Sequence, residues 1–362
     1  MRWFEKYEDV VNSLVALFFS LTVCGIVITI LGNDPFSAFG NLLQGSGILP
    51  KLRYAGGRSM LTDFSSFLNY WTPMIFAALG VAVALKVGLF NIAISGQMLA
   101  AGFAATVIVG YSSLHSFIAK PLVLLISIAV GGAVGVIIGW LKFQFNINEV
   151  VSSIMINYIL QYVVAFFINM YYVDPVSRQS RAVSDASRLT IVNVEVGGYR
   201  YDIPLGMILA FLIILVVQFV FKKTTFGYEL AAVGLNRKAA QYAGIHVGRT
   251  IMSAMFVSGA LAGLAGATYY LGYFASIQPK VLAATGYDSI AVALLGGANP
   301  VGILVASFLI SVIGKGSTYM SSTAGLDAEL SSVIIGFILL FSACSMYISH
   351  CIKKVATTRK RR

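Results

Sequence analysis

The chain has 362 residues, of which 58% are hydrophobic and 11% charged, with a formal net charge of +11. Soluble domains carry about a quarter charged residues, so this composition, with a mean hydropathy of +0.85, excludes a soluble enzyme or binding module. The positive balance is not a nucleic-acid footprint either, because the cations sit in loops and tails between apolar runs.

At the N-terminus Arg2 and Lys6 are mixed with Glu5, Glu8 and Asp9. The apolar run 10–31 exceeds a signal-peptide core, so it reads as a first transmembrane helix rather than a cleaved leader. Residues 32–69 are polar and carry Lys51, Arg53 and Arg58. Further spans are expected at 70–85, 94–110, 121–141, 150–172, 205–221, 251–271, 302–319 and 330–350, with a short or broken one at 286–297. The sum is an all-α polytopic membrane protein of about ten crossings, each needing roughly 20 apolar residues.

An even number of crossings puts both termini on one side, expected to be the cytoplasm. Residues 142–149 and 222–250 then lie inside, and 32–69 and 173–204 are external loops. The basic tail 351–362, ending in Arg361 and Arg362, reads as an anchor to anionic lipid. The external loops also hold cations, Arg178, Arg181, Arg188 and Arg200 among them, against the positive-inside bias. Parity and the density of the inside clusters carry the orientation. Cys24, Cys344 and Cys351 show no metal-ligand or disulfide-framework spacing.

Several spans contain polar groups. GLFNIAISGQ (88–97) places Asn91, Ser95 and Gln97 between apolar runs. In NINEVVSSIMINY (146–158), Glu149, Ser153 and Asn157 fall at i, i+4 and i+8 on one helical face. Such residues face a bundle interior or a water-filled path, or act as interhelical glue worth roughly 0.6 kcal/mol each. Glu149 sits at a helix start, where a carboxylate is favoured by the backbone dipole.

The hydrophilic segment 222–250, KKTTFGYELAAVGLNRKAAQYAGIHVGRT, separates two strongly apolar runs. It reads as two short helices hinged at Gly234 and closed by Gly244. Lys222, Lys223, Arg237, Lys238 and Arg249 place it in the cytoplasm. In SGALAGLAGA, Gly259, Gly263 and Gly266 lie at helical spacing and let backbones approach closely. GYDSIAVALLGGANPVG (286–302) has an apolar core too short to span, and interrupted segments of this kind mark substrate routes in transporters. Asp288 reads as an N-terminal helix acid. No Walker loop, HExxH, GxSxG or Cys/His cluster is present, and the three histidines are dispersed, so catalysis within this chain is not expected.

These motifs, in this order, resemble the permease subunits of bacterial ATP-binding-cassette importers, in the branch that includes simple-sugar, nucleoside and branched-chain amino-acid systems. The resemblance covers roughly 72–341 and is nearest to the nucleoside importers. It implies several partners: a paralogous second permease, a cytoplasmic ATPase that binds the ATP, and an extracellular substrate-binding lipoprotein. It implies no cofactor in this chain. It also implies that 222–250 is the coupling loop, with Glu229, Gly234, Asn236, Ala239, Ala240 and Gly244 matching its pattern. Ala231 departs from it, standing where relatives often have arginine. Asn91, Gln97, Asn157 and Tyr158 sit in motifs near the translocation path. Alternating access driven by ATP follows from the resemblance. Sugar and branched-chain amino-acid transport stay open as substrates, and an ion-coupled secondary transporter is the rival class.

Overall fold

The computed structural model describes residues 8–344 except 52, 55–57, 197 and 328. The basic tail 351–362, residues 345–350 of the last expected span, and Arg2 and Lys6 lie outside the described residues. Thirteen α-helices and one β-hairpin occur in chain order among the described residues. They are α1 Glu8–Ile30, α2 Pro35–Gly45, α3 Met60–Lys86, α4 Ile94–Ala105, α5 Ser116–Phe145 and α6 Glu149–Phe167. The strands β1 Thr190–Val196 and β2 Tyr199–Pro204 follow. Then come α7 Leu205–Lys223, α8 Thr225–Leu235, α9 Arg237–Tyr242, α10 Val247–Thr268, α11 Ala284–Leu295, α12 Pro300–Ala324 and α13 Leu330–Ala343. Helices α4, α6 and α10 each run on into a wider π-helical turn, at Thr106–Gly110, Ile168–Tyr172 and Tyr269–Phe274.

Six of these helices are long and apolar enough to cross a membrane, or up to seven if the pair Val15–Ile30 and Pro35–Gly45, bent by 113°, is one span. Ile94–Gly110, Ala284–Leu295 and Leu330–Ala343 are shorter apolar helices. Burial separates centre from rim. Most of α3 and α10 is enclosed (83% and 72% of their apolar windows), against 33% for the α6 window and 28% for that of α7. A helix apolar all round belongs inside a bundle; the exposed Ile208, Leu212, Leu215 and Phe219 of α7 form a face suited to lipid.

Backbone contact holds the centre together. A Cβ on Gly263 of α10 would strike the Ser127 carbonyl of α5, and one on Gly259 would strike the Gly131 carbonyl. The expected role of these small residues is therefore met: without a hydrophobic force between helices in lipid, close backbone packing supplies the attraction.

Two expectations are corrected. The segment 32–69 is not all loop: it contains α2 and the first ten residues of α3. Ser59 caps α3 by accepting from the Thr62 N–H, while the Thr62 hydroxyl accepts from the Ser59 N–H. Asp63, Ser65, Ser66 and Asn69 disguise this first part as polar loop. The segment 173–204 holds the antiparallel hairpin, turned at Gly198 with φ +80°. The fold is thus mostly helical rather than all helical.

The hairpin and the start of α3 meet at one end of the bundle, where the Thr190 hydroxyl donates to Asn69 Oδ1 at 2.9 Å and the Asp202 N–H donates to Ser65 Oγ at 3.4 Å. At the other end the α5–α6 turn meets the loop 222–250: Gly248 packs flat on the Phe143 ring. Lys142 and Glu149 pair there at 2.8 Å.

Candidate functional site

Helices α8 and α9 form the first candidate site. The Thr224 hydroxyl accepts the Gly227 N–H and starts α8. Asn236 ends it and begins α9, its Oδ1 accepting from the N–H groups of Lys238 (3.0 Å) and Ala239 (3.1 Å). An Asn at this position satisfies two of the donors that a helix start leaves open. The break therefore lies at Asn236, not at the expected hinge Gly234. Gly234 is inside α8, and its missing side chain serves contact: a Cβ there would strike the Lys86 carbonyl at the end of α3. Gly244 closes α9 as expected, with φ +84°, the Gly244 N–H on Gln241 O and the Ile245 N–H on Ala240 O, both 3.0 Å. This is the paired-bond arrangement that a left-handed glycine permits after a helix.

Inward-facing residues of this element anchor it. Leu230, Val233 and Ala240 are buried, and Glu229 Oε2 accepts from the Thr250 hydroxyl at 3.4 Å. The outward face carries large apolar side chains among its polar and charged ones. Tyr242 is 94% exposed, Leu235 88% and Tyr228 69%, beside exposed Ala231 and Ala239. Lys222, Lys223, Lys238 and Arg249 stand exposed on the same segment. A groove beside it is lined by Tyr228, Glu229, Gly244, His246 and Arg249. Large apolar side chains this exposed at a charged end of a membrane protein fit a protein-docking surface.

The second candidate site joins four of the sequence motifs. The chain leaves helical form between α3 and α4, and the amides of Asn91 and Asn157 satisfy the backbone groups this frees. Asn91 Oδ1 accepts the Ala93 N–H at 3.0 Å, and its Nδ2 donates to Gln97 Oε1 at 3.1 Å and Ser258 Oγ at 2.9 Å. Asn157 Oδ1 accepts the Gly96 N–H at 2.9 Å; its Nδ2 donates to the Ile92 carbonyl at 3.0 Å and Tyr287 Oη at 3.4 Å. Asn91, Gln97 and Asn157 are buried at 2% exposure or less. Irregular backbone inside a membrane bundle needs such partners, so Asn91 and Asn157 hold the break in shape, and Gln97 contributes by accepting from the Asn91 amide. Tyr158 is not part of this cluster. It is 55% exposed on the outer face of α6.

The expectation that Asp288 is an N-terminal helix acid is corrected: it lies beyond the first turn of α11, half-buried. In the segment 173–204, Arg178 and Arg181 are exposed, Arg200 pairs with Glu195 at 3.2 Å, and Arg188 donates to the Gly272 carbonyl at 3.3 Å. The Asp174 carboxyl is held below its ordinary pKa by hydrogen bonds from the Val176 N–H and the Ser177 hydroxyl. No group of three or more metal-ligating side chains occurs among the described residues.

Comparison with known proteins places this architecture. Residues 64–343 match the family described as the branched-chain amino acid transport system permease component. The guanosine ABC transporter permease protein NupP of Bacillus subtilis is 34% identical over 353 residues, covering 97% of this chain and 98% of that protein. The nucleoside ABC transporter permease protein NupB of Lactococcus lactis is 31% identical, covering 97% and 95%. The glucose ABC transporter permease protein TsgB13 of Haloferax volcanii is 25% identical, covering 99% and 92%. The chain is a multi-pass membrane protein that belongs to the branched-chain amino acid transport system permease family.

Proposed function

We propose that this chain is the permease subunit of an ATP-driven importer of nucleosides in a bacterial plasma membrane. The observation that carries the reading is the exposed apolar face of α8 and α9, with Leu235 and Tyr242 outermost, on an element locked to α3 and α10. A membrane protein driven by a soluble ATPase needs such a face. The substrate class rests on the two nucleoside-named relatives at 34% and 31% identity. Sugar transport is the second reading, favoured by the lower likeness to the glucose permease.

In this account about ten segments cross the membrane, including the shorter α4, α11 and α13, with both termini in the cytoplasm. The hairpin and α2 face outward, and the 142–149 and 222–250 segments face inward. The two clusters sit at opposite ends of α3, which supports this assignment. A substrate-binding lipoprotein docks outside, an ATPase inside, and a paralogous permease completes the pathway. ATP closes the ATPases, α8 and α9 move with them, and the rigid Gly234–Lys86 contact passes the motion to α3. A ligand shifts such an equilibrium only through contacts that differ between states, so the coupling element must not bend. Asn91, Gln97 and Asn157 keep the broken span beside the pathway in one shape.

The test is the energy source. Uptake in cells carrying the intact system is expected to stop when ATP is depleted and to survive a protonophore while ATP is maintained. The reverse pattern assigns an ion-coupled secondary transporter.

A further inference from the structure

Between α10 and α11 the chain runs through residues 275–283 without regular structure. The Val183 N–H donates to the Ala275 carbonyl at 3.0 Å, and Ser180 exchanges two hydrogen bonds with Ile277, both 2.9 Å. Farther along, Gln161 Nε2 donates to the Lys280 carbonyl at 2.6 Å, and the Ser95 hydroxyl to the Ala283 carbonyl at 2.9 Å. Gln161 stands near the midpoint of the candidate span Glu149–Tyr172, so the loop reaches that depth. Irregular backbone there is tolerated only where protein encloses it or a water-filled cavity meets it. Gln278 and Lys280 are exposed, and lipid would penalise the ammonium, so the loop borders water. Ala275 and Lys280 also hold left-handed backbone, φ +61° and +60°, a strained conformation that clusters at ligand sites.

One cleft opens between this loop, the widened end of α10 and the segment 173–204. Its volume is about 80 Å³, room for roughly six waters at about 10–15 Å³ each, so it admits one flat ring rather than a whole nucleoside. Tyr269, Tyr270 and Phe274 form its aromatic wall. The Tyr269 ring packs against both others with centroids 4.9 Å away, and buried Tyr270 is seated against Gly102 of α4. Gln179, Ser276 and Gln278 form its polar wall. Gln179 Oε1 accepts from the Ser276 hydroxyl at 2.6 Å, which fixes that amide. Its Nε2 and the whole Gln278 amide have no partner among the described residues. No charged side chain lines the cleft, so it offers no counter-charge to a phosphate or to a free amino acid.

We propose that this cleft is the nucleobase subsite of the transport path, an assignment that rests on the nucleoside reading. The base stacks on the rings of Tyr269 and Phe274, as bases do on aromatic platforms. An amide carries a donor and an acceptor side by side. Gln179 and Gln278 therefore match the adjoining donors and acceptors of a base edge, as Gln does with adenine. The ribose stays outside the cleft.

The experiment is photo-crosslinking of 4-thiouridine to the purified transporter complex without its binding protein, with the modified peptides mapped by mass spectrometry. Crosslinks are expected in the segment 269–278, suppressed by excess uridine and unaffected by ribose or leucine. Tyr269→Leu is expected to lower their yield about tenfold through lost stacking. Gln278→Ala is expected to lower it about threefold through a lost hydrogen bond. Uridine-sensitive crosslinks confined to other segments, or suppression by ribose or leucine, overturn the assignment. A loss in either variant supports the subsite, and wild-type yield in both overturns it. Should Tyr269→Leu fail to assemble, Gln278→Ala decides alone, since that exposed side chain holds nothing else in place. A transporter that imports nucleosides in cells but shows no such crosslink overturns the subsite alone, whereas cells that import none remove the nucleoside reading with it.

Discussion

Gly234 of α8 lies directly against the carbonyl oxygen of Lys86, the last residue of α3, with no room between them for a methyl group. The contact ties a short helix to the most enclosed candidate span of the bundle. Gly234→Ala adds one carbon at that point and forces α8 away from α3. ATP-driven uptake is expected to fall at least tenfold, with membrane insertion retained. Surface labelling alongside transport measures both. Normal uptake in Gly234→Ala would remove the contact from the coupling path.

Leu235 and Tyr242 project from the same element and touch little of their own chain, being 88% and 94% exposed. Replacing them therefore costs the fold almost nothing, since exposed substitutions stay within about 0.5 kcal/mol. Leu235→Asp with Tyr242→Asp is expected to abolish co-purification of the ATPase. Retention of the ATPase by the double variant would place the docking face elsewhere.

Asn157 joins α6 to the first turn of α4 through the Gly96 N–H and to the break before it through the Ile92 carbonyl. Asn157→Leu leaves both buried groups unsatisfied, at about 1–3 kcal/mol each. The melting temperature in detergent is expected to drop by several degrees. Asn157→Asp restores the acceptor but not the donor, and falls in between. A Leu variant as stable as wild type would show that the amide does not hold the break.

Much of this was legible in the sequence because the physics is local. Apolar runs mark their helices, and Gly259 and Gly263 announce a close crossing by spacing alone. Gly244 declares a helix end because few other residues adopt its φ. What stayed hidden depends on distant partners. Gly234 looks like a hinge until Lys86 is seen against it, and Asn236, whose capping preference was readable, takes the break instead. The first turns of α3 carry Asp63, Ser65, Ser66 and Asn69, so they resemble a loop; all four serve as tertiary partners, Asp63 of Lys51, Ser65 of Asp202, Ser66 of Lys315 and Asn69 of Thr190.

The exposed Arg178 and Arg181 sit on the segment assigned to the outside. Their expected role is to meet an acidic lobe of the binding protein. Reversing both to Glu is expected to slow uptake at limiting substrate several-fold and to weaken its dependence on salt, because exposed charge pairs are screened within about 8–10 Å. Unchanged uptake at low salt would leave these arginines as a solvated surface.

Sidedness is open to direct labelling. Val176 is 92% exposed beside Arg178. A Val176→Cys variant is expected to react with an impermeant maleimide in intact cells, whereas Tyr242→Cys reacts only after the membrane is opened. Protection of position 176 in intact cells would invert the orientation.

The most direct test of the central claim is uptake of radiolabelled uridine and guanosine in cells with and without this gene, with excess unlabelled nucleosides, ribose, galactose or leucine as competitors. Gene-dependent uptake blocked by other nucleosides, but not by the sugars or leucine, is the predicted result. Nucleoside uptake that survives deletion, with ribose uptake lost instead, would contradict it.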